Sequence, residues 1–250
     1  MLQIHNLQIG YGDQVVAGFE GDYAFAKAEL TAIIGANGAG KSTLLRAIAT
    51  GEHLIEGKIM LHGKNRASYG GDLARELAVV RTDRTFSHYL SVIEMLELSR
   101  TPYTSIAGKL KQKDHEIVEN CLHEFDLKRL ARKRLGNLSD GQLQRVLVAR
   151  AIVQDTPLVL MDEPTSHLDI NHKTDLLLQL KSYCERNHKC VLFATHELEL
   201  ALSLADHVVA IHDKQITYQD VAAFKRENLL DTMFPSRHIS FVDGRVRFTF

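Results

Sequence analysis

Cysteine and proline are scarce in this 250-residue chain, and an excess of either charge is missing. The three cysteines, Cys121, Cys184 and Cys190, show no paired spacing. An odd, sparse count argues against a disulfide framework and for a reducing compartment. The four prolines mark no linker that would divide the chain cleanly. A formal charge of −1 excludes bulk electrostatic attraction to nucleic acid or lipid. No apolar run approaches the roughly 18–20 residues of a membrane span. The start, Met1-Leu2-Gln3-Ile4-His5, lacks the basic residues and apolar stretch of a signal peptide. These absences lead to the expectation of a cytosolic protein, free or docked on a membrane partner. There is no internal repeat and no low-complexity segment.

What is present is a chain that is 45% hydrophobic and long enough to bury a substantial core. Leu2 to Ile9 alternates as a strand. Glu29 to Ile34 ends in the continuous apolar run Ala32-Ile33-Ile34, suited to a strand buried on both faces. A helix is expected from about Lys41 to Ala49, a turn bounded by Gly51 and Gly57, then strands at Lys58–Leu61 and Leu77–Val80. From about Ser91 to Gln154 the periodicity is helical. Leu158 to Met161 returns to the buried-strand type. A helix at about 169–186, a strand at Val191–Thr195, a helix at about 197–205 and a strand at Val208–Ile211 follow. This alternation predicts a parallel sheet with helices on both faces, carrying a helical insertion. The tail, Ile239 to Phe250, reads as a hairpin turning at Asp243-Gly244.

Gly35-Ala36-Asn37-Gly38-Ala39-Gly40-Lys41-Ser42 fits G-x-x-x-x-G-K-[ST] between an expected strand and an expected helix. Glycines let successive N–H groups turn around phosphate oxygens, and the helix start adds partial positive charge. Lys41 reaches the β- and γ-phosphates of ATP, Ser42 is placed to ligate Mg²⁺, and Thr43 adds an α-phosphate contact. Asp162-Glu163 closes the buried strand Leu158–Met161. An acidic pair there needs compensation, which Mg²⁺ would give Asp162, leaving Glu163 as general base. His196 follows a third buried strand. Gly35, Asp162 and His196 thus share the strand ends where open parallel sheets bind ligands. A neutral imidazole there could hydrogen-bond the γ-phosphate. Leu138-Ser139-Asp140-Gly141-Gln142 precedes the helix Leu143–Gln154. Ser139 and Gln142 fit a capping box, and the same pattern would serve a phosphate-facing helix start; spacing does not choose between them.

Gly35–Thr43, Leu138–Gln142, Leu160–Glu163, Ser166-His167-Leu168-Asp169 and His196, in that order, resemble the nucleotide-binding subunits of ATP-binding cassette (ABC) transporters over essentially the whole chain. The resemblance implies an α/β P-loop NTPase core of the ABC type, with an N-terminal antiparallel β portion and an inserted helical subdomain. The boundaries would be about 1–84 and 155–250 for the core and 85–154 for the subdomain. It implies an ATPase working as a head-to-tail dimer with a second copy of itself. Ser139, Gly141 and Gln142 would then contact the partner's ATP, and Asp169 would meet the opposite subunit. Tyr11, in Gly10-Tyr11-Gly12, matches the aromatic residue that stacks on adenine. Arg100-Thr101-Pro102-Tyr103-Thr104, then Gly108-Lys109-Leu110 and Asp114, look like the insertion of importers for iron–siderophore, haem and cobalamin complexes. That implies a peripheral position on the inner face of the cell membrane, a separate permease, an external substrate-binding protein, and no nucleic acid. Rival readings are a soluble ABC-type ATPase unconnected with transport and a low-turnover regulatory subunit.

Two positions depart from the family pattern. Thr82 stands where a glutamine touching Mg²⁺ and the permease is usual. Its hydroxyl could still ligate Mg²⁺ but is two bonds shorter, so weakened or rearranged coupling is expected, with Asp83 as substitute. Asp140 replaces a common glycine; its carboxylate suits a helix start but must point away from phosphate. The basic run Lys128-Arg129-Leu130-Ala131-Arg132-Lys133-Arg134 is expected to be a solvated face.

Overall fold

The structure, a computed structural model, describes residues 1–81, 86–105, 108–227, 229–236, 238–242 and 244–248. It opens with antiparallel strands. β1 (Leu2–Tyr11) pairs along one edge with β2 (Gln14–Gly18) and then β3 (Asp22–Phe25). β4 (Glu29–Gly35) leads into α1 (Lys41–Thr50), and β5 (Leu54–Leu61) covers the other edge of β1, followed by the short β6 (Lys64–Asn65). β7 (Leu77–Val80) precedes three helices, α2 (Val92–Leu98), α3 (Gln112–Glu124) and α4 (Asp140–Val153). Then come β8 (Leu158–Asp162), α5 (Ile170–Asn187), β9 (Cys190–Ala194), α6 (Leu198–Leu204), β10 (His207–His212) and β11 (Gln215–Asp220). The short helices α7 (Val221–Arg226) and α8 (Leu229–Met233) and a separate hairpin, β12 (Ile239–Val242) and β13 (Arg245–Phe248), end the described chain.

Among the described residues, eleven strands make one sheet in the order β6-β5-β1-β2-β11-β10-β4-β9-β8-β7, with β3 on the edge of β1 beside β2. The run β10-β4-β9-β8-β7 is parallel throughout. The pair Gln215–Gly18 joins it to the antiparallel portion. The expected α/β architecture with an N-terminal antiparallel portion is the one observed.

Alternation along the central strands sorts side chains into two cores. Leu30, Ala32 and Ile34 of β4 and Val159 and Met161 of β8 face α2–α6. Ile33, Leu158 and Leu160 face the other way, toward α1. On that side Leu44, Leu45 and Ile48 of α1 also meet Leu2, Ile4, Ile9 and Phe25 of the antiparallel strands. One helix is therefore wedged between the two halves of a single curled sheet, which immobilises the loop that precedes it. Each fully buried leucine or isoleucine here contributes about 1.5–3 kcal/mol. The three cysteines are free and buried, and burial pushes the thiols of Cys121 and Cys190 up to about 12, so they are inert.

One expectation is corrected, some elements were not foreseen, and one expectation is met. Gly57 bounds no turn. It lies inside β5 at φ 105°, where a Cβ would come within 2.6 Å of the carbonyl oxygens of His5 and Asn6. The pairing with β1 slips at this point, so Gly57 marks a bulge and the strand extends back to Leu54. β2, β3 and β11 were not expected, nor were α7 and α8. The strands are short and each buries only one residue fully, so they leave little pattern in the sequence. The C-terminal hairpin is present with Gly244 at φ 76°, while Asp243 lies outside the described residues.

Candidate functional site

β4 ends at Gly35, so close to β10 that a Cβ there would lie 2.8 Å from the Ile211 carbonyl oxygen. The loop then reverses through Gly38 (φ 78°) and Gly40 (φ 110°), conformations that strain any side-chain-bearing residue. Ala36, Asn37 and Gly38 are exposed, and Ala39 and Gly40 are progressively covered. Gly40 is the N-cap of α1; no side chain caps this helix, and its first turn holds no acidic residue. Its positive end is therefore left for an anion. Lys41 is buried, with Nζ donating to the carbonyl oxygens of Gly35 (2.8 Å) and Ala36 (3.1 Å). Burial pulls the ammonium pKa down, and the nearby carboxylates of Glu163 and Asp162 pull it back up. Ser42 is exposed and shares with Asp162 the lining of a small hollow of 70 Å³. Thr43 is buried, its Oγ1 3.2 Å from the Tyr11 hydroxyl. The Tyr11 ring rests on His53, centroids 4.3 Å apart, and is 54% exposed.

The parallel register brings the other expected residues to the same edge. Asp162 and Ile33 both pair with Ala194, so the carboxyl ends of β8, β9 and β4 lie side by side. Glu163, directly after β8, has φ 53°. That left-handed backbone costs a non-glycine residue about 1–2 kcal/mol. It is held by Glu163 N–H donating to the Ala194 carbonyl (3.0 Å) and by Ser166 N–H donating to the Glu163 carbonyl (3.1 Å). Oε1 of Glu163 is 2.6 Å from Nε2 of His196, an imidazole about half exposed. Burial raises the Glu163 pKa, His196 opposes that, Asp162 adds to it, Lys41 opposes it and Glu197 adds to it. Lys41, Asp162, Glu163 and His196 thus form one electrostatic cluster beside an uncapped helix start. A carboxylate held partly desolvated next to an imidazole and an ammonium is equipped to take a proton from water close to a phosphate.

Leu138–Gln142 is built differently. Ser139 caps α4, accepting from Gln142 N–H (3.3 Å), while Ser139 N–H donates to Gln142 Oε1 (3.2 Å). The capping box is therefore real, and it occupies an exposed helix start. Asp140 is exposed at the first helical position. Gly141 packs on the loop before α5: a Cβ would sit 3.2 Å from the His167 carbonyl oxygen and 3.3 Å from Leu168 Cδ2. Asp169 caps α5 by accepting from His172 N–H at 3.0 Å. Among the described residues, no hydrogen bond joins Ser139, Gln142 or Asp169 to the Gly35–Thr43 loop.

Some functional neighbours escaped the sequence reading. Gln144, buried on α4, donates from Nε2 to the carbonyl oxygens of Glu163 and Pro164, each at 3.2 Å. Its only sequence signal is a glutamine in a helix otherwise buried nearly all round. Arg100 and Asp114, noted as insertion residues, form a buried pair at 2.9 Å. The guanidinium also donates to the Val153 carbonyl (2.8 Å) at the end of α4 and lies 4.2 Å from the Tyr103 ring centroid. The Asp114 carboxyl lies below its ordinary range: burial pushes it up, but the Lys111 N–H and Arg100 together outweigh burial. The basic run 128–134 is solvated as expected, with Lys128 in an exposed pair with Glu119. Thr82 and Asp83 lie outside the described residues. Among the described residues no helix is long and apolar enough to cross a membrane.

A family model described as ABC transporter matches residues 21–166. The chain is 32% identical over 246 residues to the petrobactin import ATP-binding protein FatE of Bacillus anthracis, covering 98% of this chain and 97% of that protein. It is 31% identical over 211 residues to the iron(3+)-hydroxamate import ATP-binding protein FhuC of Bacillus subtilis, covering 84% and 78%. Among solved structures, an ATP binding subunit of an ABC transporter superposes with a TM-score of 0.79 at 26% identity, covering 91% of this chain and 92% of that one.

Proposed function

This chain belongs to the ABC transporter family as an ATP-binding, ATP-hydrolysing cassette, and from that premise we propose that it energises uptake of an iron complex through a separate permease. The observation that carries the site assignment is the convergence of Lys41, Asp162, Glu163 and His196 at adjacent strand ends beside the uncapped start of α1. Lys41 and the amides of residues 35–43 hold the β- and γ-phosphates. Adenine stacks on the exposed Tyr11 ring, whose other side is backed by His53. Glu163 takes the proton of the attacking water, and His196 addresses the γ-phosphate.

Ser42 and Asp162 offer a hydroxyl and a carboxylate at one hollow, a hard-oxygen set suited to Mg²⁺. Among the described residues no group of three or more His, Cys, Asp or Glu side chains could hold a metal. An ion completed by phosphate oxygens fits that donor set. Mg²⁺ supplies charge neutralisation on the phosphates, and the chain supplies its position.

Two copies work together. The exposed start of α4, with Ser139, Gly141 and Gln142, completes the other subunit's ATP site. Asp169 and the adjacent exposed Ile170 meet the partner. The helical segment 85–154 acts as the subdomain that addresses the permease, from the cytoplasmic side of the membrane. A 410 Å³ groove lined by Phe86, Leu90, Met95, Leu98 and Pro102, with Tyr89 81% exposed nearby, supports that reading. The substrate is a ferric siderophore complex or haem, or else cobalamin. The test is uptake by cells that lack this chain. Uptake of one of these, ferric siderophore, haem or cobalamin, should stop and return with the wild-type gene but not with Glu163→Gln. Unchanged uptake of iron chelates, haem and cobalamin alike would reject the importer reading.

A further inference from the structure

Gln144 is the one buried polar side chain of α4 with a defined task that the site assignment leaves unused. Its amide spans two consecutive carbonyls, those of Glu163 and Pro164. The first belongs to a residue in the left-handed region, a conformation that persists only when its surroundings hold it. The Glu163 peptide is thus gripped on both sides, by β9 through its N–H and by α4 through its carbonyl. Farther along the same loop, Gly141 packs against His167 and Leu168. The start of α4 therefore touches the loop 163–169 near both of its ends.

Resting on the site reading above, we propose that Gln144 is a positioning residue that couples the two ATP sites of the dimer. The geometry is simple. Ser139 stands at the exposed start of α4, and Gln144 follows five residues on, about 7.5 Å along a rigid helix. When the partner's nucleotide engages Ser139, the helix moves as a unit, and Gln144 carries that movement to the backbone of its own chain's Glu163. The carboxylate then settles in line for water only when the opposite site is filled. Gln144 acts in cis on Glu163 while reporting a nucleotide bound in trans. Displacement of a reacting group by about 1 Å is enough to cost on the order of a hundredfold in rate.

The test uses full-length chains carrying two different tags, so that dimers of defined composition can be purified. Gln144→Met keeps the length and burial of the side chain and removes both donors. In the homodimer, kcat should fall at least about tenfold, with ATP affinity measured by equilibrium binding within about twofold of wild type and the ATP Hill coefficient falling to one. The decisive comparison pairs a Gln144→Met subunit with a Glu163→Gln subunit. The cis assignment expects this dimer to be nearly inactive, because its one intact Glu163 has lost its support. A dimer of wild type with Glu163→Gln should retain one active site. Equal rates in these two dimers, or full cooperativity in the Gln144→Met homodimer, would overturn the proposal. If Gln144→Met fails to fold, Gln144→Glu, which also loses both donors, enters the same dimers. If the Glu163→Gln homodimer itself turns over like wild type, the site reading fails instead, and the two failures are told apart.

Discussion

α1 and α4 both begin near nucleotide chemistry, yet their starts are opposite in construction. α1 follows a glycine, has no side-chain cap, and is clamped between the two halves of the sheet. Its positive end is anchored and uncapped, so it is open to an anion, for which Lys41 Nζ gives up the Gly35 and Ala36 carbonyls. α4 begins with a serine that already satisfies its own first turn through a reciprocal pair with Gln142. A phosphate must compete with that pair, and only a second molecule would bring one. The contrast teaches that a single chain carries a finished binding half and a self-satisfied completing half. Binding should belong to the monomer and hydrolysis to the dimer.

The largest effect should come from the finished half. Glu163→Gln should lower turnover by about 10²–10⁴-fold while leaving ATP binding near wild type. Steady-state phosphate release and equilibrium binding measure the two separately; near wild-type turnover would remove Glu163 from the general-base role.

The support of α4 can be broken next. Arg100→Ala strands a buried Asp114 carboxylate and frees the Val153 carbonyl, and should cost about 3–5 kcal/mol of stability. Denaturant unfolding gives that figure, and ATP binding at sub-denaturing concentrations should outlast ATPase activity as the helical region loosens. A loss under 1 kcal/mol would show that the pair does not anchor the helices.

Ser139→Ala tests the completing half directly. Loss of the cap should cost about 1 kcal/mol. Monomeric ATP binding should be unaffected, while ATPase activity should fall by about tenfold through the missing charge-assisted contact. Equal loss of binding and turnover would erase the distinction between the halves.

The smallest effect concerns pH. Burial raises the Glu163 pKa, and His196 restrains that rise. A general base must be deprotonated, so the acid limb of kcat should already lie above the ordinary carboxylate range. His196→Ala lowers kcat at every pH by removing the γ-phosphate contact, and on top of that loss the missing restraint should move the limb to higher pH, with activity lost more at pH 6 than at pH 8. A shift to lower pH would contradict the ion pair.

Much of the first half was legible in the chain itself. Gly35–Ser42 and Leu158–Glu163 are contiguous, and buried parallel strands advertise themselves as unbroken apolar runs. Their meeting at one edge follows from the parallel sheet alone. The second half was legible as a capping box, which is local, whereas its support is not. Arg100 and Asp114 are separated by fourteen residues and meet only through the packing of α2, α3 and α4. Gln144 reaches across nineteen residues to a carbonyl, and backbone acceptors leave no trace in a sequence. The bulge at Gly57 was misread as a turn because a glycine looks the same in either setting until the partner strand is known.

The division of labour between the two halves is tested most directly by measuring ATPase activity per subunit across a wide dilution series, with ATP binding followed in parallel. At ATP concentrations that saturate the monomer, the account expects every subunit to stay occupied on dilution while turnover per subunit falls toward zero as the dimer separates. Turnover per subunit that remains constant in demonstrably monomeric protein would contradict it.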